Sequence, residues 1–305
     1  MFLDLLLIVI IKGFQQSIRV LPEKAQQFTG KLLGRMAFRM LKTRRQVALS
    51  NIHRVFKHYN ATEANELAKK CFENLGTNFV EILLLPYVSK DEYHERFSVE
   101  NREYMDQALE RGKGVLALIF HYGNWEIMGV IGYSFETPVI ALARPLKKHK
   151  LLNKFANSLR ASARLTIIPN ADTSKEVFRR LKGNNIIAIL SDQREKRSRG
   201  VYVDFFGEPV PTSKGIAAIA MKTGAPAVPC YCVRKGFLRY VIRIEKPLDM
   251  ERKGDISDLI RVNTRKVNAF LESIILEHPD EWFWVHQRWG RARRSKRRRV
   301  SMNRS

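Results

Sequence analysis

The sequence predicts an α/β protein: a mostly parallel mixed sheet flanked by helices, preceded by an N-terminal helical region that associates with a membrane. Three observations predict it. Short apolar runs alternate with amphipathic stretches between Gly114 and Leu190, the βαβ pattern of parallel sheets. Phe2 to Ile11 is almost wholly apolar, broken only by Asp4. Behind it, from Lys31 to Arg54, basic and apolar residues recur together at helical spacing. The chain divides accordingly: 1–21, a membrane-associating helix; 22–100, a helical region; 101–290, the α/β core; and 291–305, a basic tail expected to be disordered.

The apolar start covers about ten residues, short of the roughly 20 that span a hydrocarbon core. It has neither the basic leader nor the small-residue cleavage site of a signal peptide. Phe14, Ile18, Val20 and Leu21 extend its character. It reads as an uncleaved helix lying in or dipping into the membrane interface; a tilted spanning start and a plain amphipathic core helix are the alternatives. The segment from Lys31 to Arg54 carries Lys31, Arg35, Arg39, Lys42, Arg44 and Arg45 among Leu32, Leu33, Met36 and Met40. Such a face suits an anionic cytoplasmic leaflet, or is simply solvated. A further helix runs from Ala61 to Pro86, with Asn60 or Thr62 as cap and the proline as its end. Its stripe of Leu67, Cys71, Leu75 and Phe79 reads as core packing without chemistry.

Within the core, a helix from Tyr104 to Arg111 leads to a strand from Gly114 to Phe120, apolar throughout and so buried on both faces. Strands follow at Pro138 to Ala143, Leu165 to Ile168 and Asn185 to Leu190, separated by helices at Lys147 to Ala163 and Ser174 to Leu181. After Val201 to Gly207 come a helix from Thr212 to Lys222, strands at Ala227 to Val233 and Leu238 to Ile244, and a long helix from Ile256 to Glu277.

At 305 residues the chain can bury a large core, and its 45% hydrophobic content is ordinary. Its formal net charge of +24 is not; it implies an anionic partner such as an acidic membrane surface, an acidic protein, a phosphorylated substrate or nucleic acid. The stretch from Arg288 to Arg304 contributes much of that charge. It would bind anionic lipid or nucleic acid, or merely solubilise. The three cysteines, Cys71, Cys230 and Cys232, have no metal-ligand spacing. Cys230 and Cys232 alternate on a strand as small core residues, and all three are expected to be reduced thiols.

The chemistry concentrates at His121-Tyr122-Gly123-Asn124-Trp125-Glu126. His121 follows the buried strand, at the carboxyl end where open α/β sheets bind ligands. Asn124 is placed to cap the next helix, and Glu126 falls in its first turn. From there the carboxylate reaches back to the imidazole, holds one ring nitrogen protonated and leaves the other to take a proton from a hydroxyl. A capping glutamate beside an incidental loop histidine would read the same way. Arg144 lies at the end of the next strand, with Arg160 and Arg164 at i, i+4 on the following helix, suited to phosphate or an oxyanion, or to solvent. Asp192 follows another apolar strand and lines a pocket or caps a turn. Phe205-Phe206-Gly207 would wall an acyl groove or fill core. The stretch from His278 to Trp289 holds three of the four tryptophans and reads as an interfacial belt, a binding wall or core sealing. No Gly-rich phosphate loop and no Gly-x-Ser-x-Gly elbow is present. Direct transfer from a pre-activated donor, with no cofactor and no metal, fits best.

The chain resembles the bacterial lipid A late acyltransferases, the lauroyl/myristoyl acyltransferase family. That family is related to the glycerolipid acyltransferases by an H-x-x-x-x-D/E motif. The resemblance runs over most of the chain in the family's order. After the apolar start come Asn51-Ile52-His53-Arg54-Val55-Phe56, His121 to Glu126, and Ala143-Arg144-Pro145-Leu146. Then follow Asp192-Gln193, Phe205-Phe206-Gly207, Thr212, Thr223-Gly224-Ala225-Pro226 and Trp284 to Trp289. It implies a glycerolipid-acyltransferase-like fold and an enzyme of the inner membrane's cytoplasmic face. The implied reaction moves a fatty acyl chain from acyl-acyl carrier protein to a hydroxyl of a phosphorylated lipid A precursor. By matching positions, His121 is the base, Glu126 its orienter, and Arg144 and Arg160 hold phosphate or oxyanion. Phe120 stands where glycerolipid acyltransferases have Asn, and Glu126 where they have Asp; both favour the lipid A branch. The basic tail is outside the pattern, and nucleic acid is not an expected partner. The alternatives are acylation of another glycolipid or a lysophospholipid, or a non-catalytic basic membrane- or nucleic-acid-binding protein.

Overall fold

The computed structural model describes residues 2–135, 137, 139–143, 148–169 and 173–290. The helical first part comprises α1 (Phe2–Arg19), α2 (Glu23–Met40), α3 (Lys42–Val55), α4 (Ala61–Leu84) and α5 (Lys90–Arg96). Asn60 caps α4 through a reciprocal box with Glu63, as its sequence suggests. The basic stretch from Lys31 to Arg54 is two helices rather than one, broken at Leu41. Where α2 crosses α4, Gly30 and Gly34 face Gly76 so closely that a Cβ on Gly34 would lie 2.1 Å from the Phe72 carbonyl oxygen. Only glycine permits that approach.

The sheet has seven strands: β1 (Phe97–Glu100), β2 (Val115–Ile119), β3 (Val139–Ala143), β4 (Leu165–Pro169), β5 (Ile186–Leu190), β8 (Ala227–Gly236) and β9 (Arg239–Ile244). The order is β1-β9-β8-β2-β5-β3-β4. Every pair is parallel except the β8/β9 hairpin. The edge strand β1 arises inside the stretch read from sequence as helical; four residues carry too little periodicity to announce it. β6 (Val201–Phe205) and β7 (Glu208–Thr212) form a separate antiparallel hairpin. Thr212 therefore ends a strand, and the following helix, α9 (Gly215–Thr223), starts later than its sequence suggests. The connecting helices are α6 (Glu103–Glu110), α7 (Lys150–Ser162) and α8 (Thr173–Lys182), and α10 (Ile256–Glu277) follows β9.

β2 is buried along its whole length. Leu116, Leu118 and Phe120 enter one core cluster, with Ile52, Phe72, Leu271 and the tryptophans of the C-terminal segment. Val115, Ala117 and Ile119 enter the other, on the opposite face of the strand. Cys230 and Cys232 are both buried in that second cluster, as their alternation predicts. Trp282 and Trp284 are 1% and 0% exposed, so this part of the tryptophan-rich segment seals the core and forms no interfacial belt. Arg288, which in sequence opens the basic stretch, is instead fully buried. The tail at 291–305 lies outside the described residues.

No described helix is long and apolar enough to cross a membrane. Large apolar side chains are exposed on α1 (Phe2, Leu6, Val9) and on α2 (Phe28, Met36, Met40). Asp4, the one charge in the apolar start, is buried and accepts from the His149 ring at 2.7 Å and from the Leu151 backbone N–H.

Candidate active site

Strand register builds the site. β2 and β5 run parallel as neighbours, with Ile119 opposite Leu190. Residues two positions beyond that pair, His121 and Asp192, leave the sheet side by side at its carboxyl end. The Asp192 Oδ1 lies 2.7 Å from His121 Nδ1, and Oδ2 accepts from the His121 backbone N–H at 3.1 Å and from Trp282 Nε1 at 3.0 Å. The imidazole packs against both Trp125 and Phe283, at ring centroid distances of 5.0 and 5.7 Å, and those two rings also touch each other at 5.4 Å. Gly123, at φ 59°, makes the turn; a Cβ there would lie 2.4 Å from the Cys232 carbonyl oxygen.

This geometry corrects the sequence expectation on the orienting carboxylate. It is Asp192, not Glu126, that holds the imidazole. Glu126 is occupied by Arg160, whose Nε and Nη2 grip its two oxygens at 2.7 and 2.8 Å, a bidentate pair. The segment from Trp125 to Tyr133 is a 3-10 helix, and the Asn124 side chain does not cap it. Asn124 instead donates to Glu81 at 2.9 Å.

Among the other site candidates, Asp192 is 3% exposed and its oxygens accept from protein donors, His121 and Trp282. Arg160 is tied to Glu126 and to Asn157. Arg164 turns elsewhere: its guanidinium lies 4.4 Å over the Tyr133 ring and reaches the Gly132 carbonyl. Arg144 lies outside the described residues. Gln193 is brought to His121, its amide nitrogen 3.1 Å from Nε2. Phe205 is fully buried against Trp282 and Trp289 and forms core.

The electrostatics follow from the contacts. Burial pulls the His121 pKa down, but the charge and hydrogen bond of Asp192, with the charge of Glu126, outweigh it and leave a net rise. Asp192 is buried, which alone would raise its pKa; the charge and hydrogen bond of His121, with Trp282, bring it down to about 2. A carboxylate only accepts, so Nδ1 carries the ring proton and Nε2 presents its lone pair outward. That lone pair can take a proton from a hydroxyl that displaces Gln193.

Two apolar cavities open beside the imidazole. One, of about 530 Å³, is lined by Leu33, Ala37, Leu41, Phe72 and His286. The other, of about 360 Å³, is lined by Ile11, Trp125, Leu152, Phe155 and Ala156. They share Leu75, Phe79 and Phe283, and Phe283 stacks on His121.

Comparison with known proteins gives a consistent set. A family model described as bacterial lipid A biosynthesis acyltransferase matches residues 3–291. Similar proteins include the phosphatidylinositol mannoside acyltransferase of Mycobacterium tuberculosis (strain ATCC 25618 / H37Rv), 25% identical over 245 residues, which cover 78% of this chain and 75% of the relative. The lipid A biosynthesis palmitoleoyltransferase of Escherichia coli (strain K12) is 24% identical over 272 residues, 88% of this chain and 86% of the relative. The lipid A biosynthesis lauroyltransferase of the same organism is 22% identical over 258 residues, 84% and 82% of the two chains.

Proposed function

This chain belongs to the bacterial lipid A biosynthesis acyltransferase family, and from that premise we propose that it moves a fatty acyl chain from acyl-acyl carrier protein to a hydroxyl of a lipid A precursor, with His121 as general base and Asp192 as its orienter. Membership makes it an acyltransferase of lipid A or related glycolipid synthesis and sets aside the non-catalytic alternative. The observation that carries the mechanistic reading is the 2.7 Å contact of His121 Nδ1 with Asp192.

The thioester donor is already activated, so the acceptor hydroxyl needs chiefly a base. His121 Nε2 takes the hydroxyl proton as the oxygen attacks the thioester carbonyl. Asp192 stabilises the imidazolium that forms. As the tetrahedral intermediate collapses, the carbon–sulfur bond breaks and the same proton passes to the leaving thiolate. The products are an ester and a free thiol. Negative charge on the intermediate's oxygen calls for nearby donors. Arg160 keeps N–H groups beyond those given to Glu126 and Asn157 among the described contacts, and a guanidinium offers five. We assign it to the oxyanion or to an acceptor phosphate, with Glu126 fixing its pose.

Both substrates carry hydrocarbon, and the two cavities meeting at Phe283 suit a donor chain and an acceptor chain. The exposed apolar side chains of α1 and α2, among Lys12, Lys31, Arg35 and Arg39, suit insertion into an anionic leaflet at the cytoplasmic face of the inner membrane. Exposed Arg194, Lys196, Arg197 and Arg199, directly after Gln193, suit an acidic carrier protein. A second acceptor reading, a phosphatidylinositol mannoside, is favoured by the mycobacterial acyltransferase among the similar proteins.

The test is a mass-resolved transfer assay in detergent, with a panel of acyl-acyl carrier proteins and a tetraacylated lipid A precursor. The expected result is a gain of one acyl chain, abolished in His121→Ala. No gain with any donor, from folded protein, sinks the lipid A acceptor and moves the assay to phosphatidylinositol mannosides. A gain that survives His121→Ala removes the base.

A further inference from the structure

α4 carries a polar stripe that the reaction scheme does not use. Cys71, Asn74, Asn78 and Glu81 follow one another at i, i+3, i+7 and i+10, on one helix face. Each bonds to one of the two segments flanking His121. Cys71 Sγ donates to the Trp282 carbonyl at 3.2 Å, and Asn74 Nδ2 to the Asp280 carbonyl at 3.1 Å. Asn78 Nδ2 donates to the Gly123 carbonyl at 2.7 Å, and Glu81 accepts from Asn124 at 2.9 Å. The two segments are also tied to each other: Gly123 N–H donates to the Glu281 carbonyl and Phe283 N–H to the His121 carbonyl.

Glu81 is the anchor. Its side chain is 0% exposed. Besides Asn124 it accepts from Tyr240 Oη at 2.5 Å, from the Leu238 backbone N–H at 2.8 Å and from Arg234, which also donates to Asn78. A buried carboxylate with this many donors holds its partners in fixed places, because releasing any of them leaves charge or polarity uncompensated. Tyr240 and Arg234 come from the sheet, so the anchor is set by the fold, and Asn124 is the arm that reaches the turn. The two ends of that turn are then fixed from different sides: His121 by Asp192, Gly123 and Asn124 by α4.

We propose that Glu81, through Asn124, and Asn78, through the Gly123 carbonyl, are positioning residues that hold the His121 turn in register with Asp192. This rests on the reading of His121 as the base. Glu81 lines neither cavity, whereas Asn78 and Asn124 border the smaller one; the role proposed for all three acts through the turn. Their role is to keep Nε2 where the hydroxyl arrives, and a misplacement of about 1 Å at such a centre costs on the order of 100-fold in rate.

The test uses the full chain in detergent, with Asn124→Ala beside His121→Ala and parent protein. Asn124→Ala removes the arm and leaves Glu81 with Arg234, Tyr240 and Leu238. The expected result is a fall in kcat of at least tenfold in folded protein, with KM for donor and acceptor within about twofold, beside a lowered thermal transition from the donor that Glu81 loses. A merely structural role would lower the thermal transition and leave the kcat of folded protein alone. If Asn124→Ala does not fold, Asn78→Ala, which frees the Gly123 carbonyl, decides by the same kcat and KM comparison. A kcat within twofold of parent, while His121→Ala abolishes transfer, overturns the positioning role and leaves the base in place. Transfer that survives His121→Ala overturns the base, and the positioning role falls with it.

Discussion

Asp192 Oδ1 stands 2.7 Å from His121 Nδ1 across a sequence separation of 71 residues, and the parallel register of β2 and β5 sets that distance. The pair predicts a specific lesion. Asp192→Asn keeps the size of the side chain but removes the charge that stabilises the imidazolium and selects the Nδ1–H tautomer. Transfer should fall by about 10²–10⁴-fold in kcat, with KM little changed. Steady-state kinetics on purified variants checks this. A loss below tenfold would mean that His121 does not depend on Asp192.

The same pair fixes the direction of the pH dependence. The groups facing His121 are Asp192 beyond β5, Glu126 in the 3-10 segment and His286 in the C-terminal segment. His121 has a raised pKa, so its base form appears only as pH rises through a value above the ordinary imidazole value of about 6.5. The acid limb of kcat/KM should sit above that value and move to lower pH in Asp192→Asn. Stability runs the other way. A raised folded pKa gives an increment present in full below the unfolded imidazole value and lost as pH rises through the folded one. Asp192, held near 2, gives an increment present above the ordinary carboxylate range and lost as pH falls through about 2. A pH–rate profile with an acid limb below 6 would contradict the assignment.

Glu126 and Arg160 form a bidentate pair, and their effects should couple. Glu126→Gln and Arg160→Lys should each lower kcat, the second because a lysine cannot reproduce the fork. The double variant should be little worse than the poorer single one, a non-additivity of about 0.5–3 kcal/mol in a mutant cycle. Additive losses would show that the two residues act apart.

The same residues show what is legible in the sequence and what is not. The alternation of apolar strands and amphipathic helices locates β2, β5 and α10, because burial on both faces leaves an unbroken apolar run and an exposed helix face a periodic one. His121 stands out by its place after β2. Its partner does not. Choosing Asp192 over Glu126 requires knowing that β5 lies next to β2, although β3 and β4 intervene in the chain. Nothing local encodes that adjacency. Asn124 misleads for a related reason: the residue suits a helix cap, and only the packing of α4 beneath the turn shows its amide turned to Glu81. On α4, Cys71 reads as core filler within an apolar stripe, and the polar residues beside it give no local sign of a partner. Their partners are residues 123, 124, 280 and 282, far along the chain.

The two cavities predict separable effects on the two substrates. Ala37 lines the larger and Ala156 the smaller. Phenylalanine at either position should fill its cavity without touching His121. One variant should move the donor preference toward shorter acyl chains, and the other should raise KM for the acceptor at unchanged donor preference. The donor panel scored by product mass separates them. Two folded variants with parental donor preference and parental KM would remove both cavities from substrate binding.

Two glycines predict opposite signs. Gly34 lies on the face of α2 pressed against α4, where a Cβ would meet the Phe72 carbonyl oxygen at 2.1 Å and the Glu73 Cα at 2.6 Å. Both are backbone atoms, so α2 itself must move. Gly34→Ala should cost roughly 3 kcal/mol, the upper end of overpacking. Because Gly34 and Gly76 also line the larger cavity, that movement should reshape it and change KM. Gly13 lies on the exposed face of α1, and a Cβ added there would meet nothing within 4 Å. Gly13→Ala should therefore stabilise by about 0.5–1 kcal/mol through backbone entropy. Denaturant titrations of the two variants in the same detergent check both signs. A neutral Gly34→Ala would mean that α2 and α4 can part without cost, and the larger cavity would then lose its fixed wall.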